Sequence, residues 1–168
     1  MVVVEPGSTA DVAAVADLWV ELAEGQRDFG SHLFAAENRD RIRDAVARSA
    51  VAGELLVART EGDEMARTSR GGIVGFLMFA IESGTYEQDV TRGVVQNIYV
   101  VADARSEGIG SDLLAEAERR MAAGGAEIVS LEVMADNDAA RRFYHRHGYS
   151  PHRVELEKSV ESDTLTKE

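Results

Sequence analysis

Cysteine is absent from the 168 residues. That absence excludes a disulfide framework, a thiolate nucleophile and any cysteine-based zinc or iron–sulfur site. Catalysis would have to use oxygen or nitrogen groups, or the chemistry of a bound cofactor. Lysine is nearly absent too, with Lys158 and Lys167 the two lysines among 18 basic residues against 30 acidic ones. The formal net charge is −12 and the sequence pI about 4.8. A chain so poor in positive charge lacks the cationic footprint that neutralises phosphates, so neither nucleic acid nor an anionic membrane surface is an expected partner. Long apolar runs are missing as well. No stretch approaches the ~20 apolar residues that span a bilayer, and the start, Met1 to Gly7, has no basic segment followed by an apolar one. A cytoplasmic location is expected.

What is present fits one globular domain. The hydrophobic content is 45%, and the length falls within the roughly 100–200 residues of a typical domain. The acidic excess has two readings. One is a salt-adapted, halophile-like surface in which carboxylates replace lysines; the other is an acidic funnel for a cationic substrate. The spread of carboxylates along the whole chain favours the first.

The periodicity predicts a short strand at Val2 to Val4, followed by a helix capped by Ser8 or Thr9 with Asp11 placed for a capping box. Val12, Val15, Ala16, Trp19, Leu22 and Ala23 recur at helical spacing up to Gly25. A loop with Phe29, His32 and Phe34 leads to a second helix, in which Ile42, Ala45, Val46 and Ser49 repeat before Gly53. Strand-like runs follow at Leu55 to Ala58 and Ile73 to Ile81, joined by a long, mobile polar connection over residues 61–72. After a polar turn, Val94 to Val101 forms the next strand. Leu113, Leu114, Ala117 and Met121 mark a helix that Gly124 and Gly125 stop. Ile128 to Met134 reads as a buried strand. Asp136 or Asn137 caps a helix carrying Ala140, Phe143, Tyr144 and His147, and a last strand is expected around His152 to Leu156. The predicted domain covers residues 1–156, with 157–168 a polar tail.

Arg105-Ser106-Glu107-Gly108-Ile109-Gly110 lies between a strand and a helix. Its glycines allow a tight turn and a close backbone approach, so that several N–H groups can face one anion at the positive helix end. A phosphate or diphosphate is the natural guest. A dinucleotide fingerprint would need a third glycine where Leu113 stands, and a P-loop would need Gly-Lys-Ser/Thr where Gly110-Ser111-Asp112 stands, so a nucleotide-binding partner protein is disfavoured. His145 and His147 are two apart on a helix and face different ways, so they read as structural, and no metal is expected.

Ile98-Tyr99-Val100, then Arg105-x-x-Gly108-x-Gly110, then Asn137, Ala140, Tyr144 and Gly148-Tyr149 together resemble the GCN5-related N-acetyltransferase (GNAT) superfamily. The resemblance implies an α+β sandwich. Its mixed, mostly antiparallel sheet would have six to seven strands, splayed at a cofactor cleft, with about four helices on both faces. It implies acetyl-CoA as co-substrate, its pantetheine arm bonded to the backbone of Ile98 and Val100 like an added strand. The diphosphate would lie on the amides of Arg105, Ser106, Gly108, Ile109, Gly110 and Ser111, with Asn137 and Tyr144 near the pantetheine and the sulfur. A primary amine, on a small molecule or a protein, would attack the thioester directly in a ternary complex. Tyr144 would be the general acid for the leaving thiolate, and Asn137 would hold the arm or order water. The sequence departs from the pattern at Ala102, where proline is common, at Ser106, where glycine is common, and at Gln96, where many relatives carry a glutamate base. Glu82, Glu132 or a chain of waters could relay the proton instead, or the amine could bind already neutral. A CoA-binding sensor without turnover is the competing reading. Exposed strand edges leave a homodimer open.

Overall fold

The computed structural model describes residues 1–62, 70–84 and 86–161. These divide into two units, Met1–Asn137 and Asp138–Glu168. The first unit is built on one sheet in the order β1-β2-β3-β4-β5, with β1 Val2–Pro6, β2 Leu55–Thr60, β3 Ile73–Ile81, β4 Arg92–Val100 and β5 Ile128–Leu131. Each of the first four strands is antiparallel to its neighbour among them, whereas β5 runs parallel to β4. Three helices cover this sheet: α1 Val12–Arg27, α2 Arg39–Ala52 and α3 Ile109–Ala123. The second unit holds α4, Asp138–Arg146.

The helices start and stop where local chemistry dictates. Ser8 Oγ accepts from the Ala10 N–H at 3.3 Å, and the Asp11 carboxylate accepts from the Ser8 N–H at 2.9 Å. This reciprocal cap forms on a short 3-10 turn, Thr9–Asp11, from which α1 continues. Gly53, with φ of 75°, ends α2 in the left-handed conformation that glycine adopts without a Cβ penalty. The helix α1 runs two residues past Gly25, since a glycine lowers helix propensity by about 1 kcal/mol without forbidding the helix.

The core has two faces. Val15, Leu18, Trp19 and Ala23 of α1 and Val46 of α2 pack with Leu55, Val57, Ile73, Phe76 and Met78 of the sheet. On α3, Leu113, Leu114, Ala117 and Met121 are fully buried. A Cβ at Gly93 would lie 2.5 Å from Met121 Sδ, so a glycine here lets the helix lie flush on β4. Each fully buried Leu or Phe contributes about 1.5–3 kcal/mol relative to exposure, and these contacts hold β3 and β4 as the central strands.

The sheet has five strands, not the six to seven expected. Two expectations at this end of the chain are corrected, and the second of them accounts for the count. β5 stops at Leu131 instead of continuing to Met134, because its pairing with β4 ends at the Val95–Leu131 register pair. The segment His152 to Leu156 alternates like a strand, yet it pairs with nothing among the described residues, and Val154 and Leu156 are 76% and 88% exposed. Alternation supplies a face; a strand also needs a ladder partner. In the connection over residues 61–72, positions 63–69 lie outside the described residues, as do positions 162–168 of the expected polar tail.

Candidate active site

The strand β4 changes character half-way along. Arg92 to Val95 pair with β5, but from Gln96 onward that side of β4 has no strand partner among the described residues. The change coincides with a bulge: Met78 pairs with Asn97 and Phe79 with Val95, so that Gln96 is the extra residue of β4. A bulge breaks the ladder and increases local twist, which turns the rest of β4 away from its neighbour. Backbone direction beyond the bulge follows from one bond. The Val101 N–H donates to Val74 O of the β3 side at 2.9 Å. By the alternation of a pleated strand, Tyr99 and Asn97 also turn their amides toward β3, while Ile98 and Val100 turn theirs to the open side. The two residues expected to bond a pantetheine arm are thus the two whose backbone groups face the gap.

The loop beyond this edge has the geometry of an anion cradle. A 3-10 turn, Ala102–Ala104, leads to Arg105 and then to Ser106, whose φ of 67° is the one positive value of a non-glycine residue among those described. Gly108, with φ of 82°, is the N-cap of α3. A Cβ there would meet nothing within 4 Å, so glycine is needed for its backbone angle and not for space. The first helical bond is from the Asp112 N–H to Gly108 O, at 3.0 Å. The amides of Ile109 and Gly110 precede that bond and lie at the positive end of the α3 dipole, with Ser111 next in the same turn.

Arg105 is exposed but tethered to β4. Its Nε donates to Val100 O at 2.9 Å, and its guanidinium lies over the Tyr99 ring, 5.3 Å from the centroid. The Tyr99 hydroxyl in turn donates to Glu21 Oε2 of α1 at 3.2 Å, and Glu21 Oε1 accepts from Arg70 Nη2 at 2.7 Å. Burial and the Glu21 carboxylate raise the Tyr99 phenol above its ordinary pKa, against the opposing pull of Arg105. The sequence reading missed this chain from Arg70 to the edge of β4. Its signal was the pair of carboxylates Asp17 and Glu21, four apart on α1, each of which takes an arginine, Arg39 for Asp17 and Arg70 for Glu21.

Of the groups considered as a base, Glu82 is an ion pair with Arg92 at 3.1 Å, at an angle too oblique for a hydrogen bond. Glu132 is exposed and directly follows Leu131, where β5 leaves β4. Gln96 is exposed at the bulge. Asn137 closes the first unit after a turn in which its N–H donates to Met134 O at 3.0 Å, and it directly precedes α4. Within the second unit, Tyr144 stacks edge-on against Phe143 and Tyr149, and loss of solvation pushes its phenol up to about 12. His147 lies against Phe143, 4.7 Å between ring centroids, a packing role. In the first unit, Phe34 is 57% exposed beneath the Arg27 guanidinium and is not part of the hydrophobic core cluster. No cluster of three or more metal-ligating side chains occurs among the described residues, and no helix there is long and apolar enough to cross a membrane.

Comparison with known proteins agrees with this architecture. A GCN5-related N-acetyltransferase from Ralstonia eutropha JMP134 is 22% identical in sequence and superposes with a TM-score of 0.71, over 96% of this chain and 100% of that one. An aminoglycoside N-acetyltransferase solved in complex with CoA is 15% identical, with a TM-score of 0.69 over 95% of both chains. These likenesses show the fold. An aminoalkylphosphonate N-acetyltransferase of Salmonella typhimurium is 35% identical over 68 residues, which are 40% of this chain and 44% of that protein's length. Residues 12–149, which include the bulged β4, the Arg105 loop and α4, match the acetyltransferase (GNAT) family, and the chain belongs to that family.

Proposed function

We propose that this protein is an acetyl-CoA-dependent N-acetyltransferase in which a primary amine attacks the thioester directly. The observation that carries the proposal is the edge of β4, where Ile98 and Val100 face a gap that starts at the Gln96 bulge, beside the Gly108 start of α3. A pantetheine arm is an extended amide chain and can add to such an edge as a strand does. The diphosphate would fall on the amides of Ile109, Gly110 and Ser111 and on Arg105, with Ser106 and Gly108 shaping the cradle. The outward amide of Ile98 or Val100 would also stabilise the oxyanion that forms when the amine attacks.

Collapse of that intermediate expels a thiolate, which needs a proton. Tyr144 is our general acid: its phenol is protonated at neutral pH, and although burial, which pushes it up to about 12, makes it a weaker acid, it can hydrogen-bond to the departing sulfur and donate as negative charge builds there. Asn137 would hold the arm or a water beside it. The acceptor is a primary amine, on a small molecule or on a protein. The partial kinship with an aminoalkylphosphonate acetyltransferase makes small amines the first to test. Mixing acetyl-CoA with a panel of such amines should release CoA thiol. Tyr144→Phe should lower turnover about 10²-fold or more while leaving donor affinity nearly unchanged; unaltered turnover removes Tyr144 from the mechanism. The Gln96 side chain cannot act as a base, and this favours a second reading, a CoA-binding sensor. Tight donor binding without thiol release from any amine would select it.

A further inference from the structure

The Arg105 contact does more than place a positive charge near a diphosphate. The guanidinium is fixed at two points on β4, the Val100 carbonyl and the Tyr99 ring, and the ring is itself held by Glu21. Val100 O is one of the two carbonyls that face the gap. A pantetheine amide N–H that adds along this edge therefore meets an acceptor that Arg105 already uses.

We propose that Arg105 makes the site selective for donors that carry a diphosphate, by guarding the Val100 carbonyl until an anion draws the guanidinium away. The inference rests on the donor site described above. The chemistry is an exchange of acceptors. A bond from a guanidinium to a phosphate oxygen joins two opposite charges, whereas its bond to the Val100 carbonyl is charged on the donor side alone, so the phosphate is the stronger acceptor. A CoA thioester supplies that better acceptor and frees Val100 O for its own amide. A thioester of pantetheine alone offers the same amide but no anion, so it must compete with Arg105 for the edge.

The residue thus has opposite effects on two donors. In titrations of the full chain, Arg105→Ala should weaken acetyl-CoA binding about tenfold, through loss of the charged contact. The same substitution should tighten binding of S-acetylpantetheine about threefold to tenfold, because a competing hydrogen bond to the edge is gone. A general loosening of the loop would weaken both. Arg105 is exposed, so the variant is expected to fold. Opposite signs support the guard. If acetyl-CoA binds the unaltered protein but S-acetylpantetheine weakens or stays unchanged in the variant, the guard is wrong while the donor site stands. If acetyl-CoA does not bind the unaltered protein at all, the donor site and the guard fall together.

Discussion

Ser106 shows what a single residue in this loop tolerates. A left-handed backbone at a residue with a Cβ costs roughly 1–2 kcal/mol, and only glycine escapes most of it. Ser106 bears that cost with φ of 67°, one residue after the arginine that contacts β4 and two before the glycine that caps α3. The substitution Ser106→Gly should therefore raise stability by about 0.5–1 kcal/mol, since part of the relief is offset by the greater freedom of glycine in the unfolded chain. Thermal melts should show a gain of about 2 °C. Acetyl-CoA affinity should hold or fall slightly, because a looser loop has more entropy to lose on binding. A lower melting temperature would mean that the serine side chain compensates its backbone, and the strain argument would fail.

At the scale of elements, one arginine joins pieces far apart in sequence. Arg59 on β2 donates to Glu5 on β1 at 2.7 Å, to Asp11 at the head of α1 at 2.8 Å, and to Gly71 O before β3 at 2.9 Å. Asp11 is 8% exposed. Burial alone would raise its pKa, but the bonds from Arg59 and Ser8 outweigh burial and hold the carboxyl below its ordinary 3.8. A depressed folded pKa means stability that is fully present above the unfolded value and is lost as pH falls through the folded one. Asp11→Ala should cost about 2 kcal/mol near neutral pH, from the lost cap and the part-stranded guanidinium. Denaturant melts should find that cost shrinking below about pH 4. A cost independent of pH would mean that the carboxylate charge plays no part.

The same elements mark what the sequence could disclose. The cap of Ser8 and Asp11, the α1 stripe and the Gly108 turn depend on neighbours within a few residues, so all three were legible. The bulge at Gln96 depends on how β3 and β4 pair, and the end of β5 on where β4 turns away. The chain from Glu21 to Tyr99 spans 78 positions. The partners in each case are not given by a local pattern, and even the spacing of Asp17 and Glu21 on α1 does not say which residues answer it. The alternation at His152 to Leu156 misled for the same reason, since a strand is defined by a partner that its own residues do not encode.

At the scale of the whole molecule, the charge of −12 acts against the donor proposed for the site. CoA is a polyanion, and the Arg105 loop is itself flanked by Asp103, Glu107 and Asp112, so under the proposed function the attraction there would come from backbone amides and one guanidinium. Short-range bonds at such a loop are screened weakly, whereas the long-range repulsion is screened within a Debye length of roughly 10 Å at 0.1 M salt. The two effects have opposite dependence on ionic strength. If repulsion dominates the encounter, stopped-flow measurements should show acetyl-CoA associating severalfold faster as salt rises from about 0.05 to 0.5 M, with a smaller change in dissociation. Stability should rise over the same range, because dispersed carboxylates repel one another in the folded state and the ion pairs present engage only part of them. Both trends together assign the acidity to a salt-adapted surface. A donor association that slows with salt, combined with an amine acceptor whose binding weakens even more, would instead make the acidic face a funnel for the cationic substrate.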